Sequence, residues 1–550
     1  MKRFTKQVCR LYPYTVALFF SACAIWLMVS ALLFTNFLSE REVSSIQADR
    51  AWMQILLILL FCCLCLFGKK VWTRQASLHK KSPLRGALIL AAGLCACIWV
   101  SQVQLTPIYD AREVQLAALE LLGVSEASKF GPGDYIARYP HQCGLVLFQW
   151  LLAKVVGAAN LTVAFQYCNV LAYMVALYCL GGLCAAIGMG ERGCLAATIL
   201  GVLFLPLLFY VTFVYGTLLG LASALAGLVC AISFCRSHRW YQALGSTVLL
   251  FLSMVLKSNY QIFVIGAILY SFFTGLDGKH RNWWLTGGLI LSFFLAGKLP
   301  VTILEVWTGA DLHHGYTPLS WLGIGLIECE GQGGPGWWNG YANYTYDLCG
   351  MDPTLQRAYV ANELEDLLAY YLQHPRSAAR FFLRKNASQW SEPLFAGLWL
   401  NQNMAFTNNT QLPLWAETLC SQEGQNFLRL LLNPLQSILY SGLVFWSCLP
   451  VKRKHSQEEL LLAVILVGGF LFHTFWEAKS QYTLPYYVLS FPLAIQGYRN
   501  LVFLHSHRGE IAWSQRSRFY RFRCLLPIAL LILALALSLC PMLLLYPQAI

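Results

Sequence analysis

The chain reads as an all-α polytopic membrane protein with about 13 transmembrane helices, interfacial helices in its first outer loop and one large outer loop. Three observations predict this. Of its 550 residues 57% are hydrophobic and only 12% charged, where soluble domains carry roughly 25% charged residues. Mean hydropathy is +0.54. Apolar runs close to the roughly 20 residues that cross a bilayer core recur along the whole chain.

These runs are Pro13–Phe37, Trp52–Gly68, Gly86–Val103, Val163–Gly188, Cys194–Val214, Thr217–Cys235, Trp240–Leu256, Gln261–Gly275, Trp284–Leu304, Leu432–Pro450, Leu460–Trp476, Thr483–Tyr498 and Leu525–Tyr546. A shorter run, Cys143–Val156, is ambiguous. Most of the 39 lysines and arginines fall on one set of loops if Cys143–Val156 does not cross, including Lys69–Arg85, Lys452–Lys454 and Arg499–Arg523. The positive-inside rule then places the N-terminus in the cytoplasm, the C-terminus outside and Cys143–Val156 as a shallow helix. The basic start Met1-Lys-Arg followed by a long apolar run reads as a retained anchor. The net charge of +13 is therefore topological, and nucleic-acid binding is not expected.

Four regions follow: a two-span extension over 1–85, a membrane core over 86–304 with an outer loop at 104–162, a large extracytoplasmic region over 305–431, and C-terminal membrane helices over 432–550. No internal repeat stands out, so a repeat-built transporter finds no support. Most cysteines lie within spans as small apolar residues. Cys329, Cys349 and Cys420 fall in the large loop, where a disulfide is open. The sequons at Asn160, Asn343, Asn386 and Asn408 decide little.

The chemistry-bearing residues gather at the outer ends of spans. Asp110 opens the amphipathic stretch Asp110–Leu122, with Val114, Ala117, Ala118, Leu121 and Leu122 as its apolar stripe. Asp110 is a candidate general base and Glu113 a second acid, while the same Asp-x-x-Glu spacing is also a capping box. Phe130-Gly-Pro-Gly breaks the helix with a mobile turn, and Arg138 and His141 then stand ready for an anionic headgroup. Lys257 ends a span and must meet a polar cavity, an anion or the interface, because a lysine in lipid costs roughly 2.5–3.5 kcal/mol. His473, Glu477, Lys479 and Tyr482 crowd one tight outer turn. In the large loop, Gly333–Tyr341 reads as a glycine-hinged aromatic surface and Ala378–Lys385 as an interfacial basic helix. His313 and His314 are adjacent and lack a third partner, so no metal site and no cofactor is expected, and a divalent metal has no motif behind it.

The order of parts, with Tyr109-Asp110, Arg138-Tyr-Pro-His-Gln142 and Trp476-Glu-Ala-Lys-Ser-Gln-Tyr482, resembles the GT-C superfamily of membrane glycosyltransferases. The likeness is greatest to family 39-like members related to protein mannosyltransferases and the lipid A aminoarabinose transferase. It implies a polyprenyl-phosphate sugar donor, a glycan, lipid or protein acceptor, and an integral protein of the plasma membrane. It matches Asp110 to the first-loop carboxylate and Lys257 to the cation that meets donor phosphate. Such relatives often carry a second acid at the outer end of the fifth span, where this chain has Phe213-Val-Tyr-Gly-Thr217 with Tyr215 as a binding candidate. That leaves Glu113, or nothing, as the second acid. A transporter or flippase of an envelope lipid is the rival. Convergence of Asp110, Lys257 and Glu477 on one outward cavity favours transfer, and a vestibule reaching the cytoplasm favours transport.

Overall fold

The computed structural model describes residues 2–39, 42–68, 82–277, 282–329, 333–449, 455–506 and 518–538. The basic loops around Lys69–Lys81, Lys279–Arg281 and Lys452–Lys454, and the end of the last apolar run, lie outside the described residues.

Each apolar run is helical over most of its described length. The membrane elements are α1 (Lys2–Leu33), α2 (Ala51–Phe67) and α3 (Pro83–Val103), then the first loop's α4 (Tyr109–Glu120), α5 (Tyr135–Arg138) and α6 (Cys143–Val156). The bundle continues with α7 (Leu161–Ala186), α8 (Glu191–Leu203), α9 (Pro206–Phe209), α10 (Thr217–Ser237), α11 (Trp240–Leu256), α12 (Gln261–Asp277) and α13 (Trp283–Thr308). Six helices build the large loop: α14 (Pro318–Leu326), α15 (Tyr341–Leu348), α16 (Pro353–Gln373), α17 (Pro375–Trp390), α18 (Gly397–Thr407) and α19 (Leu414–Cys420). The chain returns through α20 (Gln422–Cys448), α21 (Gln457–Phe475), α22 (Ser480–Leu489), α23 (Phe491–Ser506) and α24 (Arg518–Ser538).

Among the described residues, eight helices are long and apolar enough to cross a membrane, or nine with α8 and α9 taken as one span. That pair bends by 58°, because Pro206 lacks an N–H and cannot continue the helix before it. The run Thr483–Tyr498 is likewise split, into α22 and α23. α6 has 14 residues, about 21 Å at 1.5 Å per residue, short of a roughly 30 Å hydrocarbon core. Lipid-facing stripes are visible where large apolar residues stay exposed at helical spacing, as with Leu90, Leu94 and Ile98 on α3.

The first run departs from expectation. Its helix stops at Leu33, and Phe34–Leu38 forms β1, antiparallel to β2 at Ser44–Ala48. The hairpin is bound into the large loop. Asn36 N donates to Ser391 O (2.8 Å) and its amide to Ser388 O (2.7 Å), while Ser44 N donates to Gly333 O (2.6 Å). Below it, α1 packs inside the bundle, with Phe20 edge-on to Trp446 of α20 at 4.7 Å.

The two ends of the bundle are distinct. At one end Arg236 pairs with Glu458 at 2.9 Å, Ser82 N donates to Glu191 at 3.0 Å and Arg499 to Gly188 O at 3.2 Å. At the other end the hairpin meets α17, the end of α3 meets α18 and the end of α21 meets α17. The Gly333–Tyr341 segment is a joint more than an open surface. Trp337 is buried and donates to Ser388 Oγ at 2.8 Å, Ala478 N donates to Gly336 O at 2.8 Å, and only Trp338 stays exposed. Gly336 sits at φ +75° against Gly325 and Lys385, a conformation and a closeness that a side chain would prevent.

On α17 the last basic residue turns inward while Arg380 stays exposed: Lys385 is wholly buried, donating to Trp476 O at 2.7 Å and to Gly325 O. The ammonium thus satisfies carbonyls at the ends of α21 and α14. Burial pulls its pKa down to about 7, against the pull of Glu477. Lys385→Met is expected to cost about 2–3 kcal/mol, the scale of charge-assisted bonds to groups left unpaired. A lowered unfolding midpoint of the detergent-solubilised protein measures it. Cys329, Cys349 and Cys420 are free thiols, so the large loop carries no disulfide among them.

Candidate active site

Asp110 lies in the first turn of α4, whose N-cap is Ile108. The expected capping box is therefore absent: Asp110 makes no cap hydrogen bond, and Tyr109 enters the helix at φ +49°. A left-handed non-glycine residue is strained, and here the helix start is displaced so that the carboxylate is left free of the backbone. The predicted apolar stripe is buried through Val114, Ala117 and Ala118. The Asp110 carboxylate is open to solvent yet deeply surrounded by protein, as a group lining a cavity would be. Desolvation raises its pKa, opposed by Lys479 and by the adjoining Tyr135 hydroxyl, with Glu42 and Glu113 adding to the rise.

Two lysines face this carboxylate from matching positions. Each is an extended residue at a helix junction: Lys257 (φ −159°) alone between α11 and the turn into α12, Lys479 (φ −165°) the last of the four residues between α21 and α22. An extended residue at a helix junction throws its side chain sideways, towards the cavity between helix ends. Gly216 makes room for the first junction, since a Cβ there would strike Leu256 O. Lys257 Nζ donates to Thr217 Oγ1 at 2.9 Å and lies 5.1 Å from the ring centre of Tyr215 and 5.3 Å from that of Tyr482. Two aromatic faces and one hydroxyl hold the ammonium in place. Burial pulls its pKa down to about 7, helped by Lys479 and opposed by Glu477 and Asp110.

Glu477 is buried beside them, with Tyr482 Oη at 3.5 Å from its Oε1. Desolvation pushes its pKa up to about 8, although Lys479 works against it. Lys479 forms an ion pair with Glu42 and lies 5.6 Å from the ring centre of Trp399. Burial would lower its pKa, but Glu42, Glu477 and Asp110 outweigh it and leave it raised. Tyr215 accepts a hydrogen bond from the Gln142 amide. The Tyr135 hydroxyl is buried beside the Asp110 carboxylate.

The structure thus brings Asp110, Lys257, Glu477, Lys479, Tyr215 and Tyr482 within electrostatic reach of one another at one end of the bundle, where Lys257 and Tyr482 line a small pocket. Other candidates are engaged elsewhere. Glu113 pairs with Lys129 at 2.7 Å. Glu113→Gln is accordingly expected to cost no more than about 1 kcal/mol and to leave any activity within about threefold in an initial-rate assay. Arg138 is committed to the large loop, with Asp347 at 3.0 Å, Tyr316 Oη at 3.1 Å and Gly133 O at 2.7 Å. These contacts, with Gly131 N donating to Asp134 at 2.9 Å, pin the Gly-Pro-Gly turn. His141 sits at the cavity margin among Tyr139 and Trp321, 6.0 and 5.9 Å between ring centres. Burial lowers its pKa to about 4, so it is neutral at pH 7.

Sequence reasoning missed Glu42, because Ser-Glu-Arg-Glu-Val reads as a solvated loop until the hairpin carries it into the site. It also missed Glu392, which is buried and accepts hydrogen bonds from Leu394 N (3.1 Å) and Ala396 N (2.6 Å), with Arg429 at 3.7 Å. Glu392 organises the turn after α17. His313 and His314 point apart, to Glu305 at 3.2 Å and Asp311 at 2.7 Å. Among the described residues, no three His, Cys, Asp or Glu side chains are grouped to hold a metal. A separate cleft of about 610 Å³ lies between Gly131–Gly133 and Thr308–Asp311, but none of the cavity's coupled charges lines it.

No family model matches the sequence, and no curated protein is significantly similar to it. Among solved structures, the archaeal oligosaccharyltransferase AglB from Archaeoglobus fulgidus, in complex with an inhibitory peptide and a dolichol-phosphate, aligns at 14% identity and TM-score 0.40. That alignment covers 83% of this chain and 56% of the other, so this chain spans little more than half its length. The apo form of the Archaeoglobus fulgidus oligosaccharyltransferase aligns at 15% identity and TM-score 0.39, over 82% and 56% of the two chains. The arabinosyltransferase EmbB from Mycobacterium smegmatis aligns at 14% identity and TM-score 0.31, over 92% and 46%.

Proposed function

We propose that this protein is a glycosyltransferase that moves a sugar from a polyprenyl-phosphate carrier to an acceptor hydroxyl on the extracytoplasmic side of the plasma membrane. The observation that carries the reading is the meeting of one free carboxylate, Asp110, with two positioned ammonium groups, Lys257 and Lys479, where helices end. The chemistry needs those two elements. A sugar hydroxyl is a poor nucleophile, and a carboxylate with a raised pKa is a better base for its proton. A phosphate leaving group gathers negative charge, which fixed cations in a partly dry cavity stabilise.

In the proposed step, the acceptor oxygen forms a bond to the anomeric carbon as Asp110 takes its proton. The bond from that carbon to the phosphate oxygen breaks, and the polyprenyl phosphate leaves with the electron pair. One displacement with one base inverts the anomeric centre, as in inverting hydrolases. Tyr215 and Tyr482 flank Lys257, and Glu477, mostly protonated below about pH 8, can donate a hydrogen bond to the sugar or phosphate. The acceptor, whether glycan, lipid or protein, approaches from the large-loop side. Buried Tyr260, Phe263 and Tyr486 pack against one another beside Lys257, an aromatic floor that supports transfer over transport.

The test is to incubate the purified protein with a panel of radiolabelled polyprenyl-phosphate pentoses and hexoses and a membrane-derived acceptor fraction. Label leaving the carrier with at least one donor is the expected result. Retention of label on every carrier, by a folded protein, would refute the reading.

A further inference from the structure

The hairpin at Phe34–Leu38 and Ser44–Ala48 belongs to a region that sequence analysis set apart from the catalytic core, yet it reaches the cavity. Its tip residue Glu42 forms an ion pair with Lys479. Glu42 adopts φ +61°, where glycine or asparagine would be easier, so a glutamate is held there against backbone preference. Its N–H donates to Ser39 O at 3.0 Å. The neighbouring carbonyl wiring fixes the tip to the same ring that Lys479 overlies: Trp399 Nε1 donates to Ser39 O at 2.8 Å, and Lys479 Nζ lies 5.6 Å from the Trp399 ring centre. The hairpin's flanks are anchored by Asn433 donating to Thr35 at 2.6 Å and Ser44 donating to Asn36 at 2.7 Å.

We propose that Glu42 is a positioning residue for the transfer site: it holds the Lys479 ammonium at the cavity and surrenders it to the phosphate of the incoming donor. The second half of this rests on the donor reading above; the first does not. Lys479 is faced by Glu42 from the hairpin, Glu477 from its own turn, Asp110 from α4 and the like charge of Lys257 from the end of α11. An ammonium left among these groups without Glu42 would sit nearer Asp110 and neutralise the base. Held by Glu42, it leaves Asp110 free in the resting site. A donor phosphate then competes as an anion for the same cation, so binding exchanges one anionic partner of Lys479 for another and releases the Glu42 carboxylate, whose side chain is 29% exposed.

The experiment reads Lys479 directly, without turnover. The full-length protein in detergent is treated with acetic anhydride across a pH series, and Lys479 acetylation is quantified by peptide mass spectrometry. Loss of the Glu42 charge makes the ammonium easier to deprotonate, so Glu42→Gln is expected to move the onset of labelling down by at least one pH unit. Glu42→Asp should restore much of the wild-type onset. Ser44→Ala removes a hairpin hydrogen bond but keeps the ion pair, and its onset should stay wild type. Farnesyl phosphate is expected to protect Lys479 in the wild type, and at concentrations at least threefold lower in Glu42→Gln. An unchanged onset in Glu42→Gln, or an equal shift in Ser44→Ala, overturns the positioning role. A shifted onset without protection by farnesyl phosphate overturns the exchange and counts against the phosphate-donor reading.

Discussion

Asp110→Asn is expected to lower transfer by about 10²- to 10⁴-fold, the usual contribution of a positioned general base, while leaving insertion and folding intact. The second half of that expectation comes from the geometry of α4. The helix is capped at Ile108 without using the Asp110 side chain, so an amide of the same shape removes no structural hydrogen bond. Had the capping box formed, Asp110→Asn would have weakened the helix start and confused a folding defect with a chemical one. The measurement is kcat with the donor identified by the panel, alongside the unfolding midpoint. A loss of kcat with an unchanged midpoint and unchanged donor binding is the expected result. Because Glu113 is held by Lys129 at 2.7 Å, it cannot readily take over the role.

Lys257→Met is expected to lower kcat/KM for the donor by about 10²- to 10³-fold, the scale of a lost electrostatic contact to developing charge. Its pH dependence carries a sign that tests the assignment. Burial brings the Lys257 pKa down to about 7, so the cation is present below that pH and lost above it. In the free enzyme, kcat/KM should therefore fall as pH rises through about 7. A bound phosphate restores the charge, so the corresponding limb in kcat should appear at higher pH. Glu477, raised to about 8, titrates nearby, and the observed limb belongs to the coupled pair. In Lys257→Met the limb should flatten, since no ammonium remains to be lost.

The membrane helices were legible because apolar runs of that length have few other uses, and α6 was legible down to its short length. Asp110, Lys257, Glu477 and Lys479 stood out for a related reason: a charge beside a span is costly, so its placement carries information. What the sequence hid was set by long-range contacts. Phe34–Phe37 reads as the end of the first apolar run because its two phenylalanines continue the hydrophobicity, whereas the strand pairs with Ser44–Ala48 and is bound by Ser388 and Ser391, far along the chain. Glu42 was hidden with it. Arg138 looked free because its partner Asp347 lies on a different loop. Lys385 looked interfacial because nothing local reveals that Gly325 and Trp476 offer it carbonyls. The Asp110 cap failed for a local reason that spacing alone does not show: the extended Ile108 is the N-cap, two residues ahead of Asp110.

The central claim is that a lipid-carried phosphate seats against Lys257 and Lys479, at the end of the bundle covered by the large loop. Photo-crosslinking with a benzophenone-bearing polyprenyl phosphate, followed by peptide mapping, tests it most directly. The account predicts adducts on the segments around 257–263 and 477–486, competed away by unlabelled polyprenyl phosphate and weakened in Lys257→Met. Adducts confined to the opposite end, around Arg236, Glu458 and Arg499, would contradict it.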